Sequence, residues 1–96
     1  MTLRDEARAA ARRWIEDEFG RAAAGIVILD DETREDPLGW VFFYQARAFV
    51  ESGDFADAMV GNAPVLVDRT GQAHVTGTAF SVEHYLDELR KELGDG

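Results

Sequence analysis

With 96 residues, 46% of them hydrophobic and 30% charged, the chain suits one compact domain over residues 1–96, and a two-lobed enzyme with an interdomain cleft is excluded. Ten Lys and Arg against 19 Asp and Glu give a formal net charge of −9, which repels phosphate backbones and anionic lipid, so neither nucleic acid nor a membrane is expected as a partner. The absence of Cys removes disulfides, thiolate metal sites and cysteine nucleophiles, while the charged start Met1-Thr2-Leu3-Arg4-Asp5-Glu6-Ala7 argues against export and fits a cytoplasmic location.

From Leu3 to Phe19 the apolar positions Leu3, Ala7, Ala11, Trp14, Ile15 and Phe19 recur at three- and four-residue spacing, which predicts an amphipathic helix. Thr2 is its expected N-cap and Gly20 its stop. The β-branched run Gly25 to Asp30 reads as a short strand, broken by the acidic stretch Asp30 to Pro37. Gly39 to Ala46 is the strongest strand signal, with Trp40, Phe42 and Tyr44 on one side, Val41 and Phe43 on the other, and both sides demanding burial.

Residues 47–63 carry the turn-formers Ser52-Gly53-Asp54 and Gly61-Asn62-Ala63-Pro64, and predict a loop with a helical turn around Phe55 to Val60. Pro64 to Asp68 and Ala73 to Thr78, joined through Gly71, predict a β-hairpin. Ser81 then caps a closing helix whose stripe is Val82, Tyr85, Leu86, Leu89 and Leu93, with Arg90 and Lys91 in its last turn before Gly94.

This order predicts an α+β fold in two layers: an antiparallel β-sheet of about four strands, with the N- and C-terminal helices packed on one face. The second side of the Trp40–Ala46 strand would then be covered by the middle loop or by another chain. Homodimerisation through that open face is compatible with this arrangement.

The acids concentrate in the middle of the chain. Residues 26–68 hold two positive and nine negative side chains, mostly in the stretches Asp30 to Asp36 and Glu51 to Asp57, a pattern that either steers a basic partner or simply keeps the surface soluble. A catalytic carboxylate pair drawn from Asp30, Asp31, Glu32, Asp54 and Asp57 would require two differently perturbed environments, whereas loop acids are ordinarily solvated. His74 and His84 lack metal-ligand spacing, and Ser81 already has a capping role. Gly61, Gly71 and Gly77 open no phosphate-binding helix. No enzyme activity, metal or cofactor is therefore expected. Trp40 and Tyr44 are the best partner anchors if exposed, with ordinary core as the alternative, and Asn62 either bonds backbone in its turn or contacts a partner.

The ordered blocks Gly39-Trp40-Val41-Phe42-Phe43-Tyr44-Gln45, Gly53-Asp54-Phe55, Gly61-Asn62-Ala63-Pro64-Val65-Leu66-Val67-Asp68 and His74-Val75-Thr76-Gly77-Thr78 together resemble the immunity protein 35 family, which includes YrhB-like small proteins. The likeness runs from about Trp14 to Leu89, with the family's tryptophan at Trp40 and its Gly-Asn-Ala-Pro turn at residues 61–64. It implies an α+β bacterial protein of polymorphic toxin systems that neutralises a cognate toxin by binding, or, as for YrhB-type members, a chaperone-like protein holding unfolded clients. A small-molecule-binding accessory protein is the third alternative. The residues expected to meet a protein partner are Glu32, Asp36, Asp54 and Asp57 for steering, and Trp40, Tyr44, Phe55 and Asn62 for contact.

Overall fold

The computed structural model describes residues 3–93. Helix α1 (Arg4–Phe19) forms where the spacing places it, and buries Ala7, Ala11 and Ile15, one turn apart; their small or slender side chains bring the helix close to a sheet. Its predicted cap, Thr2, lies outside the described residues, as does Gly94. At the C-terminal end Gly20 adopts φ 57° and a 3-10 segment, Gly20–Gly25, turns the chain back. Arg12 fixes this turn by donating to the carbonyls of Ala23 at 2.5 Å and Ile26 at 2.6 Å.

Six strands follow: β1 (Ile26–Ile28), β2 (Arg34–Asp36), β3 (Gly39–Phe42), β4 (Tyr44–Ala46), β5 (Val65–Asp68) and β6 (Ala73–Val75). Two further helices are α2 (Arg47–Ser52), directly after β4, and α3 (Val82–Glu92). The sheet order β2-β3-β5-β6 is antiparallel throughout, and β1 pairs with β4 in a separate two-stranded ribbon. The long predicted strand 39–46 is thus one path bent at Phe43, whose carbonyl accepts the Leu29 N–H at 2.8 Å. The bend lets its first half pair with β2 and β5 and its second half with β1.

The α+β class and the four-stranded antiparallel sheet stand, but the helices do not share a face. Ala7, Ala11 and Ile15 of α1 pack with Trp40, Phe42, Tyr44, Val65 and Val67, whereas Leu86 and Leu89 of α3 pack with Val41 and Leu66 on the opposite side. Strand alternation explains the difference: Val41 and Leu66 face away from α1, and their burial requires a second apolar layer, which the Leu86–Leu89 stripe supplies. Neither the middle loop nor another chain is needed to cover that face. Two ion pairs orient α3, from Arg90 to Asp36 at 3.1 Å and from Arg34 to Glu83.

The β5–β6 turn is organised by one carboxylate. Asp68 accepts from the Thr70 hydroxyl at 2.5 Å, the Thr70 N–H at 2.8 Å, the Gln72 N–H at 3.0 Å and His74 Nε2 at 2.7 Å. Burial alone would raise its pKa, yet the bonds from Thr70, His74 and the two amides outweigh burial and hold the carboxyl down from 3.8 to about 2. A depressed native pKa stabilises the fold above the unfolded value, and that contribution is lost as pH falls from 3.8 towards 2. Asp68→Asn should therefore cost about 2 kcal/mol at neutral pH and flatten the acid limb of the stability profile, as read by urea unfolding over that window. A parallel profile displaced by a constant amount would show that Asp68 does not titrate with folding.

Candidate partner-binding surface

The middle acidic region folds into two adjoining pieces. After β1 the chain makes a 3-10 turn, Asp30–Glu32, and after β4 it makes α2, a tight turn and a second 3-10 segment, Phe55–Asp57. Between the two pieces lies a shallow groove of about 420 Å³, lined by Val27, Ile28, Leu29, Asp30, Asp31, Glu32 and Val50. Asp30 is tied at its rim by Arg8, whose Nε and Nη2 donate to the carboxylate at 2.6 and 3.0 Å. That bond lowers the Asp30 pKa and raises that of Arg8. Asp31 and Glu32, by contrast, are exposed.

The tip beyond α2 is built by local hydrogen bonds rather than by burial. Gly53 takes the left-handed conformation at φ 72° that ends α2, and its N–H returns to the Phe49 carbonyl at 2.7 Å. The Ser52 hydroxyl accepts the Asp54 N–H at 3.0 Å and donates to Asp57 at 2.8 Å, while the Asp54 carboxylate accepts the Ala56 N–H at 2.9 Å. Phe55, held between Asp54 and Asp57, is left 84% exposed; its ring centroid lies 5.8 Å from that of Phe49. Val50, on α2, is 52% exposed. Phe49 and Phe55 thus form an aromatic pair in a segment that also carries Glu51, Asp54 and Asp57, while Val50 borders the groove with Asp31 and Glu32.

Of the residues singled out in the sequence, Glu32, Asp54, Phe55 and Asp57 stand on this surface. Three others, Asp36, Trp40 and Tyr44, are buried and engaged within the fold. Asp36 is 6% exposed, accepts the Leu38 N–H at 3.0 Å and meets Arg90. Trp40 is covered by the Arg69 guanidinium, 4.4 Å from its ring centroid; Arg69 also donates to the Asp36 carbonyl at 2.8 Å. Tyr44 lies beneath Trp14 and Phe19, its hydroxyl donating to the Ala63 carbonyl at 2.6 Å, and burial raises its pKa. Exposing any of the three would dismantle core packing.

Asn62 is half-buried and donates from Nδ2 to the Tyr44 carbonyl at 2.7 Å, a bond to a distant strand instead of to its own turn. Gln45 reaches the same region, its Oε1 accepting the Met59 N–H at 2.6 Å. Together these side chains stitch the otherwise ladderless segment 58–63 to β4. Sequence reasoning missed Phe49 and Val50, because α2 is too short to display a helical period. Among the described residues no cluster of three or more His, Cys, Asp or Glu is placed to hold a metal ion, and no helix is long and apolar enough to cross a membrane.

The architecture defines a small α+β protein with one helix on each face of an antiparallel sheet and a projecting, acid-flanked aromatic tip. The chain belongs to the immunity protein 35 family, whose profile matches residues 5–88. It is also similar to the uncharacterized protein YrhB of Escherichia coli (strain K12), at 45% identity over 51 residues, 52% of this chain and 54% of that protein. The chain thus spans about half the length of the curated relative it matches. No solved structure matches it.

Proposed function

We propose that this chain, acting as one unit in the cytoplasm, neutralises a cognate protein toxin by direct binding and without catalysis. The observation that carries the reading is Phe55: a large aromatic side chain, 84% exposed, on a turn ordered by hydrogen bonds of Ser52, Asp54 and Asp57, in a member of an immunity family. A pre-ordered aromatic loses little entropy on docking and fills a partner pocket as a hot spot. Glu32, Asp54 and Asp57 supply the field that draws in a basic partner and speeds encounter. Asn62 acts indirectly, through the segment it anchors to β4.

The test is capture by the tagged full chain from lysate of its native cell, at low and raised salt. One stoichiometric partner, released by salt, is the expected result; many substoichiometric clients would favour chaperone-like holding instead. With that partner in hand, Phe55→Ala should weaken binding by about thirtyfold or more, the scale of a 2 kcal/mol hot spot. Its own stability should move by no more than about 0.5 kcal/mol, since the ring is exposed. Glu32→Lys with Asp57→Lys, which spares the Asp54 cap, should slow association and flatten its salt dependence. Unchanged affinity in the Phe55 variant would remove the tip from the interface.

A further inference from the structure

We infer that the free edge of β6 is a self-association surface, at which a second copy of this chain adds its own β6 in antiparallel pairing and extends the four-stranded sheet across a two-fold axis. The hydrogen-bond phase of the hairpin decides which groups face outward. The Asp68 N–H donates to the Gln72 carbonyl at 2.9 Å and the Thr76 N–H to the Pro64 carbonyl at 3.3 Å, so residues 72, 74 and 76 turn their backbone groups towards β5. Alternation then points the N–H and C=O of Ala73 and Val75 away from the sheet. Among the described residues β6 pairs with β5 alone, leaving those four groups as a template for another strand.

The opposite edge is guarded. Strand β2 carries the exposed Arg34 and Glu35, and Arg34 is engaged by Glu83 of α3, whereas Ala73 and Val75 bear no charge. The face once expected to be open for homodimerisation is filled by Leu86 and Leu89, so the β6 edge is the remaining route along the sheet.

Charge selects the occupant. A chain at −9 repels its own copy wherever its acids stand, yet residues 69–82 contain no Asp or Glu, and the β6 edge lies in the middle of that stretch. The acid nearest in sequence, Asp68, is turned in on Thr70, Gln72 and His74, which leaves Glu18 of α1 as the carboxylate bordering the groove next to this edge. Val75, directly opposite Val65 and therefore on the α1 face, is 58% exposed and borders a groove of about 280 Å³ shared with Trp14, Glu18, Phe19, Met59 and the 91% exposed Val60. A two-fold centred on His74 sets Val75 beside Ala73 of the second copy, which covers the exposed methyls. Strands spaced about 4.8 Å apart put the two β5 strands roughly 14 Å from each other, enough for the two α1 helices to lie side by side at about 10 Å. This pairing does not depend on the toxin-binding reading.

Sedimentation equilibrium of the full chain from micromolar to millimolar concentration is the test, paired with amide hydrogen exchange. The mass should rise from 10.7 kDa towards twice that value, with the Ala73 and Val75 amides gaining protection as concentration rises. Val75→Lys, at an exposed position, should weaken association by about tenfold or more. Val75→Pro should do the same, because it deletes an outward N–H and leaves the β5 ladder intact. Single-chain mass throughout, a dimer that both variants form as well as the parent, or protection of Ala73 and Val75 that appears only when a toxin chain is added would each overturn the inference.

Discussion

Gly39→Ala is expected to remove a large share of the folding free energy at 25 °C. Gly39 opens β3 at φ 155°, a conformation L side chains rarely adopt, directly opposite Asp68 of β5. A Cβ there would run into the Val67 carbonyl oxygen, with the Asp68 Cα at 2.8 Å and the Val67 carbonyl carbon at 2.9 Å. All three are backbone atoms of a paired strand, so no rotamer change relieves the overlap. The strands would have to separate at the point where Trp40, Val41 and Phe42 on one side of the pairing and Val65, Leu66 and Val67 on the other are buried. Backbone strain and overpacking together should cost about 4 kcal/mol or more, against a total stability of about 5–15 kcal/mol for a chain of this kind. Urea unfolding followed by circular dichroism gives the number. Gly25→Ala is the control, since nothing lies within 4 Å of a Cβ built there. Equal midpoints for the two variants would mean that β3 and β5 do not approach as closely as described.

The elements legible in the sequence are those whose signal is local. Helix α1 shows its burial face through the one-turn spacing of Ala7, Ala11 and Ile15, and α3 shows both its stripe and its cap, the Ser81 hydroxyl accepting the His84 N–H at 3.2 Å. The β5–β6 hairpin follows from two β-branched runs around a glycine turn. Strand β2 is not legible, because Arg34-Glu35-Asp36 has no strand propensity of its own and is extended only by pairing with Val41, Trp40 and Gly39. A doubly apolar strand announces two covered faces without naming what covers them, which is how both helices came to be expected on one side.

The site divides along the same line. Asp36 reads as a loop acid, but its partner Arg90 is 54 residues away, and the Asp68–His74 contact exists only through hairpin register. Trp40 and Tyr44 read equally well as anchors or as core, and it is Arg69, Trp14 and Phe19 closing over them that decides for core. Phe55 was findable, because an aromatic in Ser52-Gly53-Asp54-Phe55-Ala56-Asp57, between two acids and just after a Ser-Gly turn, has no large apolar side chain within three residues on either side, Ala58 and Ala56 being small.

Leu86→Ala is expected to detach α3 from the sheet. Leu86 is 1% exposed, and among the described residues the cluster it completes on that face has three other buried members, Val41, Leu66 and Leu89. Truncation of a buried leucine costs about 2–5 kcal/mol, through lost transfer energy plus the cavity left behind. The ion pairs that orient α3 cannot make up the difference, since Arg34–Glu83 is exposed and a solvent-screened pair contributes little. The Arg90–Asp36 pair also turns from support to liability once the helix moves, because the carboxylate it leaves behind is buried. Opening should therefore be local: amide exchange in Val82–Glu92 accelerates by more than it does in β3 and β5, which remain held by α1 through Ile15, Phe42 and Val65. Equal acceleration in all elements would mean instead that the two small clusters fold as one cooperative unit, with Val41 and Leu66 transmitting the loss through the same strands that carry Phe42 and Val65.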